Sequence, residues 1–307
     1  MDVSVIIINY NTCQMTAECI DSVFEKTEGI EFEIILVDNA STDGSREFFE
    51  KDKRITYIYN YENLGFGRAN NVGIEIAKGR NILFLNSDTL LINNAITILS
   101  NYLDENSRVG ACGGNLYTKD LKPNHSFRRI APSIADEVNT FFAKVPTKII
   151  YGKNEEFNHS RKPLSVKYIT GADLMIKKSV INNIGVFDPR FFMYYEETEL
   201  CHRVRKNGYK IMSVPYAEII HLDGGSFQNI NTSSCYTQRN YEYDTSKYIY
   251  YHIVYSKIYV QIIFFVDLIK IYTRIILHHI FNDSNKSLWH KKLYATKKIY
   301  FKVLKDN

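Results

Sequence analysis

Val3-Ser4-Val5-Ile6-Ile7-Ile8-Asn9-Tyr10-Asn11 is a β-rich run that stops abruptly on polar side chains. The run is almost continuously apolar where a half-exposed strand would alternate, so it reads as a strand covered on both faces. Phe32–Val37, Ile55–Tyr59 and Asn81–Leu85 are three more runs of strand length. Helical patterning fills the intervals, near 12–26, 44–51, 66–78 and 93–103. Strands alternating with helices predict an α/β fold, a mostly parallel central sheet flanked by helices on both faces. The opening run follows Asp2 directly, with no basic stretch before it, and reads as a first strand rather than a signal peptide.

Periodicity weakens between about 105 and 225, which reads as a mixed sheet with long loops. Four of the six prolines, Pro123, Pro132, Pro146 and Pro163, fall in 120–165, so that stretch is expected to be irregular and functional. Helical patterning returns at 178–184 and 197–207, the latter closed by Asn207-Gly208.

From about 245 the composition changes to Tyr, Ile and Lys with almost no Gly or Pro, which reads as a helical C-terminal extension. The 307 residues carry a formal net charge of +4, too small to argue for nucleic acid. That charge is unevenly spread. Residues 245–307 hold 11 Lys/Arg against 3 Asp/Glu, and the rest hold 27 against 31. At 100° per residue, Ser256, Asp267, Lys270, Arg274 and His278 share an arc of roughly 80° on an otherwise apolar helix, with Ile263 and Ile271 intruding. The pattern is too charged for a transmembrane span. It suits a helix on an anionic membrane surface with its cations toward lipid phosphate, or one packed on the body or on a second copy in a homodimer. With 45% hydrophobic and 23% charged residues the chain is globular, not collagen-like or disordered. Its five scattered cysteines form no C-x-x-C pair, which fits reduced thiols in the cytoplasm.

Chemistry gathers where strands end. Asn9-Tyr10-Asn11, Asp38-Asn39-Ala40-Ser41 and Asn86-Ser87-Asp88 each follow a strand. Any one cluster is ordinary turn punctuation, but in parallel sheets ligands bind outside the carboxyl ends of the strands, where all three converge. A dinucleotide site would need G-x-G-x-x-G after the first strand, and Asn9–Thr12 has no glycine; a P-loop is missing as well. Further on, Glu196-Glu197 follows five bulky residues and opens a helix. Acids there offset the helix dipole, yet burial beside aromatics also raises a carboxyl pKa toward the working range of a base. Ile219-Ile220-His221 ends a strand-like run, although a lone histidine is more often structural than a ligand.

The ordered set Val3–Asn11, Val37–Ser45, Asn63-Leu64-Gly65-Phe66-Gly67 with Ala69-Asn70-Asn71, Leu85–Asp88 and Phe192–Glu197 resembles family 2 of the glycosyltransferases, most closely its bacterial rhamnosyltransferase-like branch, over about residues 3–226. The resemblance implies a GT-A fold: a nucleotide-sugar-binding half (1–105), an acceptor half (106–230) and the extension (231–307). It implies inverting transfer from a nucleotide diphosphate donor, a dTDP- or UDP-sugar, to a hydroxyl of a cell-surface glycan or lipid-linked acceptor. By motif, Asp38 would bind the base, with Asn9, Tyr10, Arg68, Asn70 and Asn86 around the donor. Asp88 and His221 would hold Mn²⁺ or Mg²⁺, the histidine lying in an H-x-x-G-x-S-like stretch that runs through Gly224 and Ser226. Gly171-Ala172-Asp173 would line the acceptor side. Glu197 would be the general base, with Glu196 beside it.

Two positions depart from the family pattern. Its D-x-D motif reads Asn86-Ser87-Asp88, which removes one acid, and its E-D pair reads Glu196-Glu197. The lost acid leaves a competing reading, a sugar-nucleotide-binding scaffold subunit without catalysis. A nucleotidyltransferase fits less well, because no basic, glycine-rich loop follows the first strand.

Overall fold

The computed structural model describes residues 1–141, 145–152, 155–222, 236–280 and 286–306. The first part runs β1 (Val3–Asn9), α1 (Cys13–Lys26), β2 (Phe32–Asp38), α2 (Ser45–Phe49), β3 (Thr56–Tyr59), α3 (Phe66–Ile76), β4 (Asn81–Asn86), β5 (Thr89–Leu91) and α4 (Ala95–Glu105). Every strand and helix expected there is present, within a residue or two. The second part holds β6 (Val109–Tyr117), β7 (Phe127–Arg128), α5 (Ile134–Phe141), α6 (Val145–Tyr151), β8 (Leu164–Ser165), β9 (Tyr168–Ile169), β10 (Asp173–Lys177), α7 (Lys178–Ile184), α8 (Glu196–Lys206) and β11 (Lys210–His221). The extension forms α9 (Gln238–Val254), α10 (Lys257–Ile280) and α11 (Lys286–Asp306). The proline-rich stretch expected to be irregular contains α5 and α6. Pro146 sits in the first turn of α6, where its missing N–H costs nothing.

The main sheet has the order β3-β2-β1-β4-β10-β6-β11-β5, with β8 on β11. β3, β2, β1 and β4 are parallel, then β10 enters antiparallel to both β4 and β6. β1 pairs Asn9 with Asp38 on one side and Ile8 with Asn86 on the other, so the polar ends of three strands lie side by side. Val3, Val5 and Ile7 of β1 pack with α1 and α4, whereas Ile6 joins Phe84, Phe187 and Leu200 on the opposite face. All four side chains are fully buried. Burying each stabilises the strand by roughly 1.5–3 kcal/mol, and a one-residue slip would exchange the two faces.

The extension has its own core of Tyr248, Tyr250, Tyr251, Val260, Ile263, Phe264, Ile299 and Tyr300, with Phe191 of the body inserted into it. Thr237 and Asn240 cap α9 reciprocally. Of the two orientations left open, packing on the body holds for the middle of the polar stripe, Asp267 and Lys270, whereas Ser256 and Arg274 remain exposed. Asp267 accepts from Lys247 Nζ at 2.6 Å and from Tyr248 Oη at 2.8 Å. Lys270 pairs with Glu137 of α5. The intruding Ile263 and Ile271 are buried as well. Asp267 and Lys270 therefore satisfy buried partners, which leaves the apolar side of α10 outside. Among the described residues no helix is long and apolar enough to cross a membrane.

Candidate active site

The β1, β2 and β4 ends are stitched together by side chains. Asn9, fully buried, donates through Nδ2 to Asp38 Oδ2 and Ser41 Oγ, both at 3.0 Å. Its Oδ1 accepts from Thr12 Oγ1 at 2.8 Å and Thr16 Oγ1 at 2.9 Å. With both ends engaged inside the protein, Asn9 acts as a brace for Asp38. Asp38 Oδ1 also accepts from the Ser41 backbone N–H at 2.7 Å. Thr12 and Ser87 hydroxyls meet at 3.2 Å and tie β1 to the β4 end. Asn11 and Ala40 hold positive φ, 55° and 67°, so the backbone turns sharply after β1 and β2. Tyr10 is half-buried between them.

The next loop closes over the same end of the sheet. Asn39 Nδ2 donates to Asn63 Oδ1 at 2.8 Å, and its Oδ1 accepts from the Leu64 N–H at 3.0 Å. Arg68 Nε donates to Leu64 O at 2.7 Å. Asn70 donates to Phe66 O at 3.0 Å, and its Oδ1 is buried without a protein partner. Such an acceptor is costly unless something occupies it, and it lies beside the crevice.

Asn86, Asp88 and His221 converge, because β5 returns antiparallel to β11 and sets His221 opposite Thr89. His221 Nε2 lies 3.3 Å from Asn86 Nδ2 and 3.3 Å from Asp88 Oδ1. A 3.3 Å gap between an imidazole nitrogen and a carboxylate oxygen is that of two neighbouring ligands on one cation, each about 2.0–2.2 Å from it. The pair fits a divalent ion that takes its other ligands from phosphate and water. Among the described residues no third His, Cys, Asp or Glu joins them, as expected once position 86 is Asn. Gly224 and Ser226, in the stretch after His221, lie outside the described residues.

The acid pair approaches from the other side. Tyr194 and Tyr195 both hold left-handed backbone, φ 71° and 67°, just before α8. For bulky residues this conformation is strained, and it turns the chain so that α8 begins on Glu196. The loop is fixed from two directions. Phe66 N–H donates to Phe192 O at 2.8 Å, and Ser246 of α9 donates to Met193 O at 2.7 Å. Gly65 makes the first contact possible: its φ is +78°, and a β-carbon there would collide with the Phe192 carbonyl and ring.

The two glutamates then diverge. Glu196 is 4% exposed, lies against Gly67, and leaves Oε2 without a partner. Burial, then repulsion from Glu197, pushes its pKa well above the usual carboxylate range. Glu197 is half-buried, beside Gly171, and accepts from Thr198 Oγ1 at 3.0 Å. Burial raises its pKa too. Glu196 is the more enclosed of the two, so its charged form is penalised more by burial. Gly171-Ala172 bridges the two clusters: Gly171 adjoins Glu197, while Ala172 O accepts from the Asn86 N–H at 3.0 Å. Asp173 is fully buried beneath them. Its Oδ2 accepts from the Gly114 N–H at 2.5 Å and its Oδ1 has no partner. Burial raises its pKa to about 7, against lowering by that N–H and by His221.

Thr12, Ser41 and Ser87 carry the stitching, although the sequence reading gave them no role. Each is a hydroxyl within five residues of a strand end, which is the signal that could have marked them. The extension also takes part, through Ser246 and through Tyr243, whose hydroxyl accepts from Tyr195 Oη at 3.2 Å.

A family description, Glycosyl transferase family 2, matches residues 4–185, which spans β1 to α7 and includes the three strand ends. The chain belongs to glycosyl transferase family 2. This glycosyltransferase is 29% identical over 232 residues to the low-salt glycan biosynthesis hexosyltransferase Agl10 of Haloferax volcanii, covering 72% of the chain and 67% of that protein. It is 27% identical over 204 residues to N-acetylglucosaminyl-diphospho-decaprenol L-rhamnosyltransferase of Mycobacterium tuberculosis, covering 61% and 66%. Among solved structures it resembles GalNAc-T7 with UDP, GalNAc and Mn²⁺ (TM-score 0.61, 14% identity, 82% of this chain and 48% of that one). It also resembles the 1–349 segment of S. aureus TarS with UDP (TM-score 0.52, 17% identity, 82% and 66%). The chain thus spans about two thirds of these curated relatives and about half of GalNAc-T7. These structural likenesses confirm the GT-A fold.

Proposed function

We propose that this glycosyltransferase moves a sugar, with inversion, from a dTDP- or UDP-sugar (dTDP-rhamnose among them) to a hydroxyl of a cell-surface glycan or lipid-linked saccharide. The observation that carries the reading is the opposition of two clusters across Gly171-Ala172, Asp88 with His221 on one side and Glu197 on the other. The name of the mycobacterial relative supports a rhamnosyl donor and a diphospho-lipid acceptor. UDP and Mn²⁺ in GalNAc-T7 support a pyrimidine diphosphate and a divalent cation. The free thiols of Cys13, Cys19, Cys112 and Cys201 support a cytoplasmic setting.

In this reading Asp38, braced by Asn9 and Ser41, presents its carboxylate to the base of the donor. Asp88 and His221 would hold Mn²⁺ or Mg²⁺, which would supply Lewis-acid stabilisation of the departing diphosphate when bound. Glu197 takes the proton from the acceptor hydroxyl as the hydroxyl attacks the anomeric carbon. Glu196, the more enclosed of the two, is less ready to ionise, which leaves Glu197 as the basic member of the pair. The complete acid pair weighs against a binding-only scaffold.

The test is thermal shift and turnover on three proteins, with UDP, dTDP or GDP and Mn²⁺, Mg²⁺ or EDTA. Wild type is expected to shift with one pyrimidine diphosphate and metal. Asp88→Ala is expected to lose that shift. Glu197→Gln should keep the shift and lose transfer by about 10²–10⁴-fold. Full transfer by Glu197→Gln, or no shift of wild type with any nucleotide, would refute the reading.

A further inference from the structure

The exposed apolar surface of this protein is concentrated on four helices. Among the described residues, 14 of the 23 large hydrophobic side chains left exposed belong to α5, α6, α10 and α11. On α10 they are Ile258, Ile262, Phe265, Ile269, Tyr272 and Ile276, between 41% and 69% exposed. At 100° per residue these six share an arc of roughly 80° that contains no charged residue. Asp267 and Lys270 lie on the opposite side of the helix, turned inward onto Lys247 and Glu137. A patch of this extent on a soluble surface marks a contact with lipid or protein.

Charge selects between those two. The outward side of α11 exposes Lys291, Lys297, Lys298, Lys302 and Lys305 around Tyr294 and Phe301, which are 73% and 66% exposed. α11 contains no acid before Asp306. α10 and α11 are packed together, with Phe264 and Tyr300 stacked at 3.9 Å between ring centroids. Aromatic and aliphatic side chains among lysines are the chemistry of an anionic bilayer interface, where rings sit at headgroup level and ammonium groups meet phosphate. A second copy would instead bring its own lysines against these. The body is net acidic and the tail net basic, so an anionic surface would also turn the molecule tail-down.

We propose that α10 and α11 form a docking face for an anionic lipid bilayer. The face meets lipid through the apolar side of α10, opposite the stripe of Asp267 and Lys270. The inference stands apart from the transfer chemistry, because it uses no residue of the crevice.

The experiment is co-sedimentation of the whole protein with vesicles of phosphatidylcholine, alone or mixed with phosphatidylglycerol. Two variants accompany wild type: Phe265→Glu/Ile269→Glu on α10, and Lys297→Glu/Lys298→Glu/Lys302→Glu on α11. Metal-dependent nucleotide shifts, read on each, report an intact crevice independently. Wild type is expected to pellet with phosphatidylglycerol vesicles and far less with phosphatidylcholine alone. Loss of each lysine should lower partitioning about fivefold, so the triple variant falls by about a hundredfold, and the α10 variant should fall at least tenfold. Failure of wild type to bind phosphatidylglycerol vesicles, or unchanged binding by the α10 variant, overturns the proposal. So does a wild-type dimer that the α10 substitutions convert to monomer without altering vesicle binding, which would make the stripe a seam between two copies.

Discussion

Gly65→Ala is the sharpest test of how the acid loop is held. Gly65 has φ +78° and ψ −178°, a region that is essentially glycine's alone, and occupying it with alanine costs about 1–3 kcal/mol. The new β-carbon also meets the Phe192 carbonyl and ring, so the loop must retreat and release the Phe66 N–H to Phe192 O bond, which is worth about 1 kcal/mol. Together the loss is about 2–4 kcal/mol before any displacement of Glu196 and Glu197. For a domain of this size roughly 2 °C accompanies each kcal/mol, so the midpoint of thermal unfolding should fall by about 4–8 °C. Gly29→Ala is the control: its φ is +80°, and nothing lies within 4 Å of an added β-carbon. It suffers the left-handed penalty alone, about 1–2 kcal/mol. The two variants are compared by calorimetry and by turnover. Gly65→Ala should unfold several degrees below Gly29→Ala and lose most of its transfer, while Gly29→Ala keeps it. Equal midpoints with equal activity would show that the Gly65–Phe192 contact does not position the acids.

Three more expectations follow from the carboxylates. Glu196→Gln removes a charge that burial already disfavours and should retain transfer within a few-fold, whereas Glu197→Gln loses about 10²–10⁴-fold; the opposite result in a donor-saturated assay reverses the assignment. Because burial raises the Glu197 pKa and the base acts deprotonated, kcat should fall on the acid side at a pH above the ordinary glutamate value of about 4.3, which a pH–rate profile reads directly. Asp173 is protonated more readily folded than unfolded, so its ionisation destabilises the native state increasingly as pH rises from about 4 to about 7. Asp173→Asn should therefore gain on wild type by roughly 2–3 kcal/mol between pH 5 and pH 8 in urea unfolding, and a pH-independent difference would remove Asp173 as the source.

The α/β half was legible because its strands are apolar runs buried on both faces and its helices have clear periodicity; Val3–Ile8 alone set the centre of the sheet. Convergence of Asn9, Asp38 and Asp88 followed from one rule about strand ends. Placement of β10 between β4 and β6 was not legible, since pairing partners nearly ninety residues apart leave no mark on local pattern. The sequence left the orientation of α10 open between lipid and the body for a related reason. A polar stripe normally faces water, but Lys247 and Glu137, on other helices, give Asp267 and Lys270 buried partners. Brace residues such as Thr12 and Ser87 were hidden because a hydroxyl near a turn is commonplace.

The position of β10 has a consequence for how the chain reaches its fold. β4 is complete at residue 86, yet the strand that covers its free edge begins at 173. A chain growing from its N-terminus must carry a bare, largely apolar strand edge while the intervening residues are added, and such edges are templates for aggregation. Closing so long a loop before any pairing rewards it also makes this step slow. Refolding of the full chain should thus be limited by docking of β10, and fragments ending between residues 105 and 172 should be insoluble even though they contain all four parallel strands β1 to β4.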